Sequence, residues 1–403
     1  MRKTGKILAL ILALVMVFAL VGCGDTQTPP TEGEGTTSAD SGNAISPSEI
    51  KVGVIHIGDP ADGSGYSYAH DQGIVKMAEN LGINESQIIR KLNIDDTDTT
   101  ATKEAIEDCI AQKCNIIFGT SYNYMDTMEE LAAKYPDVIF SHGSGYKSND
   151  TNFNNYFGRI YQARYLAGMA AGLKTTTNKL GYVAAFGTEL AETSSGINAF
   201  AMGARAVNPD AVVYVKTLGS WYDPQKETAY AEALLEMDCD VIAQHCDTPN
   251  PQLAAQKAGA FGCGYNSDMT TEAPTAHLCA PIWNWDIYYT AATDAVIKGT
   301  WADFGNYYGS YADGVVDISP LSVNAAEGTD KYIKLVSDLF KSGNWDVFSG
   351  VQLSFDENGA LVHTDAPLKD NTGKEIVAAG GPSVEDSVIT GTMNYYVEGV
   401  EAK

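Results

Sequence analysis

Basic residues are scarce in this chain: 26 Lys and Arg stand against 51 Asp and Glu, a formal net charge of −25. A polyanion such as DNA or RNA is repelled by that field, so nucleic-acid binding is excluded first. Charged residues make up only 19% and apolar residues 44%, too apolar and too little charged for a disordered chain. Proline is sparse, 14 residues, which excludes proline-rich and collagen-like architectures. Six histidines and seven cysteines are scattered without metal-ligand spacing, so no metal and no cofactor is expected. The glycine-rich turn Gly63-Ser64-Gly65 lacks a following Gly-Lys-Ser/Thr, and no Gly-x-Gly-x-x-Gly is complete, so a phosphate loop is rejected. No apolar run beyond the first segment is long enough to span a bilayer.

That first segment reads as an address. Arg2, Lys3 and Lys6 precede an unbroken apolar run from Ile7 to Val21, short for a membrane span and right for a signal-peptide core. It ends in Leu20-Val21-Gly22-Cys23, which resembles the lipobox of bacterial lipoproteins. Residues 1–22 then form a lipoprotein signal, and Cys23 becomes a lipidated N-terminus. Cleavage removes three positive charges and no negative ones, taking the charge to −28. Two or three acyl chains hold a protein on a membrane where one is marginal. Residues 23–49 are rich in Thr, Ser, Gly and Glu and read as a flexible tether. The expected location is the extracytoplasmic face of the cell membrane. The six remaining cysteines show no disulfide framework, and several sit in apolar segments, so buried thiols are expected.

From Lys51 onward the pattern is strand, helix, strand, helix. Lys51–Ile57 is a β-branched strand, and Tyr68–Leu81 a helix closed by Gly82. Strands follow at Gln87–Leu92, Asn115–Phe118 and Val138–Ser141, with helices at Thr99–Lys113 and Met125–Lys134. The theme repeats after residue 160. Strands are expected at Lys179–Ala185, Val212–Val215, Asp240–Gln244, Ala260–Gly264 and His277–Ile282. The intervening helices are Tyr161–Lys174, Thr193–Val207, Asp223–Met237, Pro249–Lys257 and Trp285–Lys298, with a further one at Thr329–Lys341. This alternation predicts two doubly wound parallel α/β lobes with a cleft and a hinge between them. The boundaries are 50–160, with a returning segment near 285–315, and 161–284, with parts of 316–403.

Ligands on such sheets bind beyond the carboxyl ends of the strands. Those ends carry aromatics, carboxylates and amides: Tyr66 after the first strand, Tyr122, Trp221, Asp247, Asn266, Asp268 and Trp283. Aromatic faces stack on flat rings, carboxylates accept from N–H groups, and amides donate and accept at once. With no Lys or Arg at these ends, the set suits a flat, uncharged, nitrogen-rich heterocycle rather than a phosphate. Each residue has a plainer reading. Trp221 fills the gap between helix and sheet; Asp247, ahead of Thr248-Pro249, caps a helix; Asp268 closes a turn. Asp95, Asp96 and Asp98 read as a solvated loop rather than a calcium cluster.

The runs Tyr66-Ser-Tyr-Ala-His-Asp-Gln-Gly73, Thr120-Ser-Tyr-Asn-Tyr-Met-Asp126, Gly196-Ile-Asn-Ala-Phe200, Trp221-Tyr-Asp-Pro224, Gln244-His-Cys-Asp-Thr-Pro249 and Ser267-Asp-Met269 carry a family resemblance. Over about residues 50–350 the chain resembles the basic-membrane-protein type of substrate-binding lipoprotein, purine-binding branch, within the type I periplasmic-binding folds. The resemblance implies an ABC importer component, a monomer that captures an adenine-like purine base and passes it to a permease and ATPase. It implies that Tyr66 and Trp221 sandwich the base, that Asp247 grips its polar edge, and that Tyr122, Asn266, Asp268 and Trp283 complete the wall. The nucleoside-binding branch uses a lysine that is missing near Trp283–Asp286, which tilts the reading to the free base. A nucleoside-binding protein of the same transporter class, a surface nucleoside hydrolase or phosphorylase, and a partner-binding surface protein stand as alternatives.

Overall fold

The computed structural model describes residues 44–403. The leader, Cys23 and most of the tether lie outside the described residues. The chain runs β1 (Val52–Ile55), α1 (Gly65–Leu81), β2 (Ile88–Lys91), α2 (Thr99–Ala111), β3 (Ile116–Gly119), α3 (Met125–Lys134), β4 (Ile139–Gly143) and β5 (Phe153–Gly158). It continues α4 (Ile160–Lys174), β6 (Lys179–Ala184), α5 (Ala191–Val207), β7 (Val212–Thr217), α6 (Pro224–Leu235), β8 (Val241–His245), α7 (Asn250–Lys257), β9 (Phe261–Cys263), β10 (His277–Cys279) and β11 (Pro281–Trp283). Then come α8 (Trp285–Lys298), β12 (Tyr307–Gly309), β13 (Val316–Ile318) and α9 (Thr329–Ser342). The last elements are the hairpins β14 (Val351–Phe355) with β15 (Leu361–Asp365) and β16 (Leu368–Lys369) with β17 (Glu375–Val377), then α10 (Asp386–Gly391) and β18 (Val400–Ala402).

Two six-stranded parallel sheets result, ordered β12-β5-β4-β3-β1-β2 and β10-β9-β8-β6-β7-β18. This is the doubly wound, two-lobed α/β architecture. The central strands are buried throughout, which is why β1 and β3 read as continuous apolar runs rather than alternating ones. Local signals set the helix ends. Asp98 accepts from the Thr100 and Ala101 N–H groups to start α2, and Asp223 accepts from Lys226 N–H ahead of Pro224 to start α6. Gly82 and Gly299 close α1 and α8 in left-handed conformation.

Two strands differ from expectation. β5 was hidden by its sequence, Phe-Asn-Asn-Tyr-Phe-Gly, which places asparagines inside a sheet. The structure accommodates Asn154 because its amide donates to the Tyr288 hydroxyl at 3.1 Å and the Gly305 carbonyl at 2.7 Å. The expected strand His277–Ile282 is two strands. β10 finishes the second sheet, while β11 leaves it to pair antiparallel with β13. Ser319 diverts the chain: its hydroxyl accepts from Ala280 N–H at 2.9 Å, and its own N–H donates to the Ala280 carbonyl at 2.8 Å.

The chain crosses between the lobes three times: from β5 to α4, from β11 to α8, and from β12 to β13. The crossings meet at Gly158. A Cβ there would lie 3.0 Å from both the Gly309 carbonyl oxygen and the Trp283 ring, so a side chain would have to push its neighbours aside by a few tenths of an ångström. The final segment straps α5 from outside. Asn198 donates to the Tyr395 carbonyl at 2.9 Å and accepts from Val397 N–H at 2.9 Å, just before β18 joins β7. All six cysteines among the described residues are free and buried. Among the described residues, no helix is long and apolar enough to cross a membrane.

Candidate ligand-binding site

A cleft with about 340 Å³ of empty space, open solvent included, lies where the carboxyl ends of both sheets face each other. The first lobe contributes Ile57 beyond β1, Tyr66 in the first turn of α1, Ser121 and Tyr122 beyond β3, and Ser144 beyond β4. The second contributes Glu192 from the first turn of α5, Trp221 beyond β7, Asp247 beyond β8 and Tyr265 beyond β9.

The two rims touch. Gly65 has φ +86°, and a Cβ on it would lie 2.2 Å from the Asp247 carbonyl oxygen. Its N–H donates to the Ser267 hydroxyl at 3.1 Å. The Asp247 N–H donates to the Trp221 carbonyl at 3.0 Å. The start of α1 is therefore seated directly on the turns that carry Trp221 and Asp247.

Each wall has a distinct backing. Tyr66 meets His70 edge-on at 4.3 Å; His70 stacks on Trp285 at 4.6 Å, and Trp285 on Trp283 at 4.3 Å. His70 Nδ1 is 2.6 Å from the Tyr289 hydroxyl, and burial pushes its pKa well below the ordinary value. On the opposite wall Trp221 packs edge-on against Phe186 at 5.4 Å. Arg164, buried, donates to the Tyr182 hydroxyl at 2.8 Å and the Gln244 carbonyl at 2.9 Å. Its guanidinium lies 4.0 Å from the centre of the Tyr265 ring, a cation–π contact.

The electrostatics concentrate on two carboxyls. Burial raises the Asp247 pKa well above the ordinary range, and the charges of Glu227, Glu192 and Asp96 add to it, against a hydrogen bond from the Asn266 amide at 3.3 Å. Burial raises Glu192 to about 7, opposed by Arg164. His245 Nε2 lies 3.7 Å from Glu192 Oε1, and burial pushes the His245 pKa well down. The cavity lining holds no lysine or arginine. The arrangement can stack a flat ring and hydrogen-bond its rim; it offers nothing to hold a phosphate.

The family model for the ABC transporter substrate-binding protein PnrA-like family matches residues 50–341. This chain belongs to that family. Among its relatives, a purine-binding protein of Brucella abortus is 33% identical over 90% of this chain and 96% of its own length. A putative ABC transporter glucose-binding protein of Haloferax volcanii is 33% identical over 81% of this chain and 78% of its own. Two solved structures share the fold. An ABC transporter solute-binding protein from Aeropyrum pernix matches with TM-score 0.62 and 15% identity, over 76% of this chain and 94% of its own. A transcriptional activator of the comK gene from Bacillus halodurans matches with TM-score 0.62 and 22% identity, over 73% of this chain and 98% of its own.

In this PnrA-like chain four of the seven residues singled out from sequence meet in the cavity: Tyr66, Tyr122, Trp221 and Asp247. Asn266 stands behind them, buried, with φ +69°, reaching the cavity through its bond to Asp247. Asp268 does not line the cavity. It is about half exposed and accepts from the Thr270 N–H and hydroxyl, closing a turn, with His277 Nε2 at 3.4 Å. Trp283 does not line it either: it sits at the end of the ring ladder, close to the three-way junction. The indoles of Trp283 and Trp285 stack across Asn284, which has φ −100° and ψ +68°. Sequence reasoning missed Glu192 and Tyr265. Glu192 follows a strand end by the same rule that found Trp221, and Tyr265 adjoins the chosen Asn266. The three aspartates after β2 take separate tasks. Asp95 closes a turn on Thr97, Asp98 caps α2, and Asp96 accepts from Ser121 Oγ at 2.5 Å and Asn123 Nδ2 at 3.1 Å. Among the described residues, no group of three or more His, Cys, Asp or Glu is placed to hold a metal ion.

Proposed function

We propose that this PnrA-like protein captures a purine base between its lobes and delivers it to the permease and ATPase of an ABC importer, with no chemistry done on the ligand. The observation that carries the reading is a cavity walled by Tyr66, Trp221, Tyr122 and Tyr265, holding two carboxyls and no cation. Tyr66 and Trp221 take the two faces of the ring and Asp247 its polar rim, and the name of the purine-binding relative supports a purine as the ligand. Asn266 positions Asp247. The lack of a lysine near Trp283–Asp286 favours a free base, adenine-like, over a nucleoside. The motif ending at Cys23 supports a lipid anchor on the extracytoplasmic face, and the mass of the mature N-terminal peptide tests it.

A sugar is the second reading, because one relative of equal identity carries a glucose-binding name. Titration calorimetry with adenine, hypoxanthine, guanine, their nucleosides and glucose decides. Heat from a purine and none from glucose supports the proposal. Heat from glucose alone, or from none of these, overturns it. Release of free base on incubation with inosine or adenosine overturns the purely binding role.

A further inference from the structure

Asp247 is placed unusually for a carboxyl that meets a neutral ligand. Its charged neighbours are all acidic: Glu227 on α6, Glu192 on α5 and Asp96 in the loop after β2. Tyr66 from α1, Tyr265 beyond β9 and the buried thiol of Cys246 also face it. Arg164 opposes the burial of Glu192 and lies behind Tyr265, on the far side of that ring's wall. Glu227 is fully buried and already committed, accepting from the Thr248 hydroxyl and from Asp223 N–H at 3.1 Å. The Asp247 backbone is fixed on both sides, by the bond to Trp221 and by the abutment of Gly65. The cavity lining supplies no lysine or arginine for the carboxyl to pair with.

An ionised carboxylate only accepts hydrogen bonds, whereas a protonated one donates from one oxygen and accepts at the other. Resting on the purine reading above, we propose that Asp247 meets its ligand as a neutral carboxylic acid, so that the cleft selects heterocycles whose edge presents an acceptor ring nitrogen beside an amino group. In this pairing the Asp247 O–H donates to the ring nitrogen. Its carbonyl oxygen Oδ1 accepts from the ligand amino group and, through its second lone pair, from Asn266. The 9H tautomer of adenine offers an acceptor beside a donor on every edge, and only the minor 7H tautomer sets a ring N–H beside the amino group. A carboxylate would set its lone pairs against the ring nitrogen. Guanine offers two adjacent N–H donors, the edge a carboxylate prefers. The neighbouring acids, by disfavouring a further negative charge, build selectivity for the first kind of edge into the protein.

The experiment is a calorimetric titration of the full chain and its variants with adenine and with guanine, from mildly acidic to mildly alkaline buffer. Asparagine carries the donor–acceptor pair of a neutral acid permanently. Asp247→Ala is expected to lose at least about tenfold in adenine affinity, and Asp247→Asn to recover most of that loss. Adenine affinity is expected to fall towards alkaline pH, by up to about tenfold per unit above the Asp247 pKa, and to keep falling in Glu192→Gln. The infrared difference spectrum of adenine-bound wild type against Asp247→Asn is expected to show a protonated carboxyl C=O band. Guanine bound more tightly than adenine with affinity rising with pH, an Asp247→Asn no better than Asp247→Ala, or the absence of that band overturns the inference while leaving a purine site intact. If neither purine binds at any pH, the purine reading itself falls.

Discussion

The two walls of the cleft are built to different rules. The first lobe supplies Ile57, Tyr66, Ser121, Tyr122 and Ser144, with no side chain that ionises at neutral pH, and anchors Tyr66 to a ladder of rings. The second supplies Trp221 and Tyr265 together with both carboxyls, and places a buried arginine behind them. One wall sets shape; the other sets charge and proton state. Shape needs rigidity, which stacked rings provide, while a proton-dependent contact needs a controlled dielectric, which burial provides. A division of this kind lets either wall vary without rebuilding its opposite.

The contrast breaks most severely at the contact between the walls. Gly65→Val forces a branched side chain into left-handed backbone against the Asp247 carbonyl. Loss of purine affinity on the order of 100-fold is expected, with small-angle scattering reporting an opened shape; retained affinity would show the rims are independent. Trp221→Ala comes next, at about tenfold to about 100-fold weaker binding by calorimetry, from the loss of about 1–3 kcal/mol of stacking. Tyr66→Phe keeps the ring and is expected to cost less than about threefold, which would confirm that the first wall works by shape.

Glu192→Gln tests the charged wall without ligand. A carboxyl raised to about 7 in the fold binds its proton more tightly folded than unfolded. Stability is therefore present in full below the ordinary carboxylate range and declines as pH rises from there through about 7. The decline attributable to Glu192 is on the order of 3 kcal/mol, and urea melts across that range should show the glutamine variant losing correspondingly less. The smallest effect is expected from Asp268→Ala. It removes a turn contact remote from the cavity and should change purine affinity by less than about twofold; a larger loss would return Asp268 to the site.

Much of this was legible in the chain itself. Buried parallel strands announce themselves as apolar runs, and Asp98, Asp223, Gly82 and Gly299 mark helix ends by local chemistry. What was hidden depends on tertiary partners. β5 is readable only once Tyr288 and Gly305 are known to satisfy Asn154. β11 separates from β10 only because Ser319, some forty residues on, captures Ala280. Asp247 and Asp268 look alike in sequence, each in a turn after a strand, yet one faces the cavity and the other solvent. Glu192 escaped because the expected helix began at Thr193, whereas α5 begins at Ala191 and carries Glu192 in its first turn.

The edge strand β18 pairs with β7 although nearly two hundred residues separate them. A ribosome or export channel releases the chain in order, so the second sheet waits with the outer edge of β7 unpaired until residues 400–402 emerge. During that interval a bare row of backbone donors and acceptors invites pairing with a neighbouring copy. Maturation of this lobe is therefore gated by the arrival of residues 400–402, and truncation before them should yield aggregates rather than a shortened protein.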